Sequence, residues 1–409
     1  MIYEKRYANG LRVVVKKMEG IMSVTMGILI GTGAAVERDD EDGISHFIEH
    51  MQFKGTKKRN AFEVSDAFDK IGAQVNAFTG KDCTCYYAKS TMDHTEEAFE
   101  ALADLFLNAT YPEEEMVREK GVICEEISMN EDTPEDLSLD LLSTAYYGKK
   151  DYGRNILGPA SNVKGFTLSQ VQAYKNERYC PENIVLSFAG GITLDEAISL
   201  VEKYFADLPK GNFSRREISP VFQGKSLIKK KQIEQLHIAI GYPAISRRDE
   251  HSEAMQVLNA VLGGSMSSRL FQEVREKNGL AYSVYSYLSA YEECGSLVIY
   301  AGVNPANGQK AYDAIGKVVT DVQKNGISEE EFLRGRAQMK SSLLFAQENT
   351  STQMLLYGKH MLFHDELFDF DYKIDKINAL TKADVEKSIE KTFAKKAVAV
   401  VGAIDKPLD

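Results

Sequence analysis

The chain has 409 residues, 44% hydrophobic and 27% charged, which is material for two or three packed domains. No run approaches the roughly 20 uninterrupted apolar residues of a membrane helix, and the charged opening MIYEKRYANGL lacks the apolar core of a signal peptide. No membrane partner is expected, a cytoplasmic protein is the simplest reading, and a net charge of −11 argues against nucleic acid as a partner.

In chain order, Asn9-Gly10 is a hairpin turn between IYEKRY and LRVVVKK. The strand-like run MSVTMGILIGTG follows, then a helix from about Gly43 and another in AFEVSDAFDKIG. Two strand candidates, AQVNAFT and CTCYYAKST, lead into HTEEAFEALADLFLNAT, whose apolar residues recur at helical spacing. A further helix begins after Pro112, with Glu113, Glu114 and Glu115 suited to the positive end of its dipole. Cys83, Cys85, Cys124, Cys180 and Cys294 form neither a CxxC pair nor a zinc knuckle and read as thiols in a reducing compartment.

The second half repeats this order. QLHIAIGYPAISRRDE echoes VTMGILIGTGAAVERDDED, and SLVIYAGV stands where TCYYAKST stood. The offset is nearly constant: 210 from Gly31 to Gly241, 213 from Tyr87 to Tyr300, 216 from Glu113 to Glu329. The pattern predicts an α+β protein of two tandem homologous domains, 1–212 and 222–409, each a mixed or antiparallel sheet packed with helices. Residues 209–224 have the Gly, Pro and charge content of a linker.

The first copy carries His46-Phe47-Ile48-Glu49-His50. Positions i, i+3 and i+4 of a helix share a face, so His46, Glu49 and His50 present two imidazoles and a carboxylate together. Two such imidazoles can both reach a zinc ion at about 2.0–2.1 Å, and the H-x-x-E-H order is the inverted form of a zinc-peptidase motif. A catalytic zinc takes a third protein ligand, and the candidates lie in MVREKGVICEEISMN: Glu119 and Glu126 share a helix face, Glu125 points elsewhere, and spacing leaves Glu125 and Glu126 both open. A histidine pair at this spacing is more often a packing or capping pair, and Glu125-Glu126 alone is an ordinary solvated face. The duplication supplies a control: in the second copy the histidine positions fall near Gln256 and Ala260, so the fold does not need them for packing. His94, His237, His251, His360 and His364 read as helix-start, surface or core residues. GILIGTG is not a nucleotide loop, since it lacks the following helix and acidic ribose partner.

The stretch GISHFIEHMQFKGTKKRNAFEVSDAFDKIGAQVNAFTGKDCTCYYAKS resembles the pitrilysin-type inverzincins, in particular mitochondrial processing peptidase and its bacterial relatives. The resemblance continues through REKGVICEEISMNEDTPED and YGRNILGP to SSRLFQEVREKNGLAYSVYS. It implies that His46, His50 and Glu126 bind one zinc ion per chain, that Glu49 is the general base, and that Glu119 orients a ligand histidine. Asn76, with Ala77 and Phe78, matches a substrate-facing edge strand where a peptide would add as a strand. Arg275 and Tyr282 match an Arg–Tyr pair of the second domain. The family builds a clamshell of four such domains, so this chain would be half of one, and a homodimer would bring Arg275 and Tyr282 of one subunit to the zinc site of the other. Gln52 in HMQFKGT and Gly191 in FAGGIT depart from the family pattern without touching a ligand position.

The expected activity is hydrolysis of peptides or unfolded protein segments inside a closed chamber. The rival from another class is a non-catalytic scaffold or assembly subunit, which would show decayed ligands where this chain keeps them all.

Overall fold

A computed structural model describes residues 1–409 apart from 212, 215, 405 and 409. The ends of both predicted domains, 212 and 409, and two positions of the predicted linker, 212 and 215, lie outside the described residues. The first half forms β1 (Ile2–Arg6), β2 (Arg12–Lys17), β3 (Ser23–Ile30), α1 (Ile44–Gln52) and α2 (Ala61–Asp69). After them come β4 (Gln74–Thr79), β5 (Thr84–Thr91), α3 (Thr95–Asn108), α4 (Glu113–Asp132) and α5 (Pro134–Tyr147). It ends with α6 (Ala160–Gly165), α7 (Leu168–Arg178), β6 (Ile184–Gly190) and α8 (Leu194–Phe205). The second half gives β7 (Ser226–Lys230), β8 (Leu236–Ala244), α9 (Ser252–Leu262), β9 (Ala281–Ala290) and β10 (Gly295–Val303). Then follow α10 (Gly308–Asn325), α11 (Glu329–Ala346), α12 (Thr350–His364), α13 (Phe370–Ala379), α14 (Lys382–Thr392) and β11 (Ala397–Gly402).

The sheets explain why the two halves read alike. One is six-stranded in the order β1-β2-β6-β3-β5-β4, the other five-stranded in the order β7-β11-β8-β10-β9. Both are mixed, with a single parallel pairing each, β2 with β6 and β7 with β11. Among the described residues β1 is the strand without a counterpart; it returns through Gly10, whose φ of 94° is open to glycine at little cost. The predicted hairpin pairs as expected, Ile2 opposite Lys16 and Arg6 opposite Arg12.

Alternation along the buried strands sorts the first unit into two layers. Val24, Met26, Ile28 and Ile30 of β3 face Phe47, Ile48, Phe99, Leu102 and Phe106 from α1 and α3. Val14, Leu29, Val185 and Ala189 face the other way, onto Met354, Tyr357 and Met361 of α12. That helix sits close because small residues line its seat: a Cβ on Gly358 would stand 2.6 Å from the Leu29 side chain and 2.9 Å from Ser187. Thr25 and Thr350 hydroxyls pair at 2.8 Å, and Ser187 Oγ donates to the Met354 carbonyl at 2.7 Å, so these three buried hydroxyls of the seat find partners. In the second unit α9, α10 and α14 cover one face of the sheet, and Leu142, Ala145 and Tyr146 of α5 pack with Ala239, Val298 and Ala399 on the other.

The compact units therefore do not follow chain order. The first holds 1–127, 155–217 and 345–368; the second holds 128–154, 218–344 and 369–409. Chain order alone divides the molecule at 212/222, which leaves α5 with the first half and α12 with the second. These two helices are repeat equivalents, Pro134 and Thr350 being 216 positions apart, and each packs on the sheet of the other half. None of the five cysteines is joined in a disulfide among the described residues. Among the described residues no helix is long and apolar enough to cross a membrane.

α7 braces α1 through a half-buried lysine. Lys175 Nζ donates to the Phe106 carbonyl at 2.7 Å and to Gln52 Oε1 at 3.4 Å, and lies 5.3 Å from the Tyr111 ring centre. Burial among these neutral groups, helped by the charge of Lys57, pulls the ammonium from 10.5 to about 7. Between those values the unfolded chain holds a proton that the folded one has released, so this group makes stability rise as pH increases from 7 toward 10. Lys175→Met should flatten that rise. Urea unfolding of both proteins across the window checks it, and equal slopes would refute the assignment.

Candidate metal centre

The helix carrying the histidines is fixed at its start by a buried carboxylate. Glu37 accepts hydrogen bonds from the backbone N–H of Gly43 and of Ser45, both at 2.8 Å, satisfying donors that a helix N-terminus leaves free. Complete burial nonetheless pushes Glu37 up to about 7, the two N–H donors and the Ser45 hydroxyl offsetting only part of it. Gly43 has a φ of 95°, and a Cβ there would lie 2.6 Å from the Leu157 carbonyl oxygen. From this start Phe47, Ile48 and Met51 turn into the core, while His46, Glu49 and His50 stay half-buried on the other side.

Glu126 comes to the two imidazoles from α4. Its Oε2 lies 3.4 Å from His50 Nε2 and 3.7 Å from His46 Nε2, and the three ligand atoms are all within 4.8 Å of one another. The ring centres of the histidines are 4.6 Å apart. A tetrahedral ion with bonds of about 2.0–2.1 Å holds its donor atoms roughly 3.3–3.4 Å from each other, so this spacing fits an ion better than a hydrogen-bonded cluster. Burial, then His50, drives His46 down to about 4, which keeps its imidazole neutral as a metal ligand must be. The donor set fits zinc. Glu125, which spacing left open, is exposed and outside the trio.

Behind the trio a chain of partners fixes His50. Its Nδ1 pairs with Glu119 Oε2 at 3.0 Å, which leaves Nε2 toward Glu126. Glu119 is nearly inaccessible and is itself held by Lys54 Nζ at 2.5 Å. Burial would raise the Glu119 carboxyl, but the hydrogen bonds from His50 and Lys54 outweigh it and hold the group below the usual carboxylate range. Burial would lower the His50 imidazole, but the hydrogen bond to Glu119 and the charges of Glu126, Glu119 and Glu49 outweigh it and raise its pKa. Glu49 stands outside the trio: Thr79 Oγ1 donates to its Oε2 at 2.5 Å, and burial raises its pKa.

The remaining candidates divide between the units. Asn76, Ala77 and Phe78 lie on β4, the outermost strand of the first sheet. Asn76 Oδ1 accepts the Ala77 N–H at 2.8 Å. The Phe78 ring packs on the α12 face, with Lys359 Nζ 5.1 Å from its centre, so its side chain points away from the face that carries Thr79. Arg275 and Tyr282 belong to the second unit. Arg275 sits in a π-helical segment, Phe271–Lys277, with its guanidinium 4.8 Å from the Phe271 ring centre and 5.3 Å from that of Tyr282. Tyr282 is 78% exposed. Two site residues escaped sequence reasoning. Lys54 falls four residues after His50, just past the end of α1, and Thr79 falls two after Ala77 on the strand; both signals are visible once a reason to look exists.

A metal-ready trio on a two-sheet α+β frame defines the class of protein, and comparison with known sequences identifies the family. Residues 12–160 match the description "Insulinase (Peptidase family M16)", and residues 165–339 match "Peptidase M16 inactive domain". The Bacillus subtilis protein named uncharacterized zinc protease YmxG is 42% identical over 379 residues, covering 92% of each chain. An uncharacterized zinc protease of Streptomyces coelicolor is 34% identical over 97% of this chain and 88% of its own length. This chain belongs to peptidase family M16, the pitrilysin-like family that its motifs resemble. In fold it is similar to the M16 inactive domain of Pseudomonas fluorescens (TM-score 0.91, 20% identity, all of both chains). A protease of Helicobacter pylori superposes as well, with a TM-score of 0.90 at 21% identity over 98% of this chain and 99% of its own.

Proposed function

We propose that this chain is a zinc-dependent endopeptidase acting on peptides or unfolded protein segments. The observation that carries the reading is the convergence of His46, His50 and Glu126 Oε2 on one point, with Glu49 beside it and free of that trio. The zinc-protease names of relatives covering most of the chain support it.

In this reading His46, His50 and Glu126 hold the ion, and Glu119, steadied by Lys54, keeps His50 turned toward it. Bound there, zinc supplies a Lewis acid that polarises the scissile carbonyl and makes water acidic near neutral pH. Glu49 accepts the proton of the attacking water on its carboxylate and passes it to the leaving amine. A peptide adds to the free edge of β4 beside Asn76 and Ala77, where main-chain hydrogen bonds tolerate varied sequences. In a homodimer, Arg275 and Tyr282 of the partner subunit bind substrate backbone and the developing oxyanion.

The test pairs metal analysis with a fluorogenic peptide-library assay. The purified chain should carry about one zinc per subunit, as one three-ligand site requires. Cleavage should stop with a chelator and return with added zinc. A chain that holds no zinc, or that cleaves equally well with chelator present, is not this enzyme.

A further inference from the structure

We infer that Thr79 is the positioning residue of the general base, fixing one oxygen of Glu49 so that the other is presented to the attacking water. The inference rests on the peptidase reading above. Its own support is geometric. Thr79 Oγ1 donates its single proton to Glu49 Oε2 at 2.5 Å, the short end of the range for a hydroxyl on a carboxylate.

A glutamate side chain has three rotatable bonds, and nothing in α1 by itself sets the plane of its carboxylate. The base works only if an oxygen lies within hydrogen-bond reach of the water, and a misplacement of about 1 Å can cost on the order of 10²-fold. Thr79 is suited to remove that freedom. It is β-branched, so its own χ1 is restricted. It is the last paired residue of β4, opposite Thr84, whose Oγ1 in turn donates to the buried carbonyl of Thr32 at 3.0 Å. The hydroxyl therefore projects from an anchored strand end rather than from a loop.

The placement also ties the base to the substrate. Thr79 and Ala77 lie two apart on β4 and share its α1-facing side, whereas Phe78 packs on the opposite face. A peptide added at the free edge of β4 would take its register from the strand that also holds Glu49. One rigid element would then set both the scissile bond and the proton acceptor.

Thr79→Val keeps the shape and the branching but removes the donor, while Thr79→Ser keeps the donor. With zinc-loaded protein and one library-derived peptide, Thr79→Val should lower kcat by about 10- to 10²-fold at unchanged KM and zinc content, and Thr79→Ser should retain most of the rate. Crystals of the metal-free proteins give a readout independent of turnover. The Glu49 carboxylate should be ordered on the hydroxyl in wild type and Thr79→Ser and spread over rotamers in Thr79→Val. A normal kcat in Thr79→Val, equal losses in both variants, or a change in KM or zinc content in place of kcat would each overturn the assignment. If the wild type hydrolyses no peptide, the peptidase reading fails, and the crystals still decide whether Thr79 holds Glu49.

Discussion

Glu49→Gln should reduce peptide hydrolysis by about 10²- to 10⁴-fold, the usual weight of a positioned general base, while zinc stays bound. The amide has the shape of the carboxylate, and its oxygen can still accept from Thr79 Oγ1, now 2.5 Å from Glu49 Oε2, so the local packing survives. What is lost is a proton acceptor. Zinc retention follows because Glu49 supplies none of the three grouped ligand atoms. The measurement is kcat on a fixed peptide alongside zinc content, and a variant that cleaves at the wild-type rate would end the assignment of Glu49. The same variant tests the dimer. A mixture of Glu49→Gln and Arg275→Ala chains should regain partial activity if one subunit supplies the base and its partner the arginine. With subunit exchange demonstrated, no recovery would mean that each chain works alone.

Much of this was readable before any coordinates. The hairpin at Asn9-Gly10, the strands of the first sheet and the helix bearing His46 and His50 follow from periodicity and turn chemistry, which act locally. The duplication was readable because one fold plan imposes one order of patterns twice. Two things were not. The exchange of α5 and α12 leaves no local trace: each is an amphipathic helix, and an apolar stripe such as Leu142, Ala145 and Tyr146 does not say which sheet it will cover. The other is the hold of Lys54 on Glu119 together with the Thr79–Glu49 pair. These depend on side chains brought together across 65 and 30 positions, Lys54 to Glu119 and Glu49 to Thr79, where spacing in sequence carries no information.

Along α4 three glutamates should rank sharply in zinc affinity. Glu126→Gln replaces a charged ligand by a neutral amide. Zinc sites gain about 10–16 kcal/mol from four ligands, so weakening one should loosen the ion on the order of 10²- to 10³-fold. Glu119→Gln leaves the ligands in place but loosens the hold on His50 Nδ1, now 3.0 Å from Glu119 Oε2, and a partner of this kind is worth about 10- to 100-fold. Glu125→Gln should bind zinc like the wild type. The reason is angular: Glu119 and Glu126 are seven residues apart, nearly two full turns, while Glu125 is rotated by about 100° from its neighbour and lies in solvent. Competition with a chelating dye measures all three. Retention of zinc by Glu126→Gln with its loss from Glu125→Gln would reverse the ligand assignment, because two adjacent residues of one helix cannot both face His46 and His50.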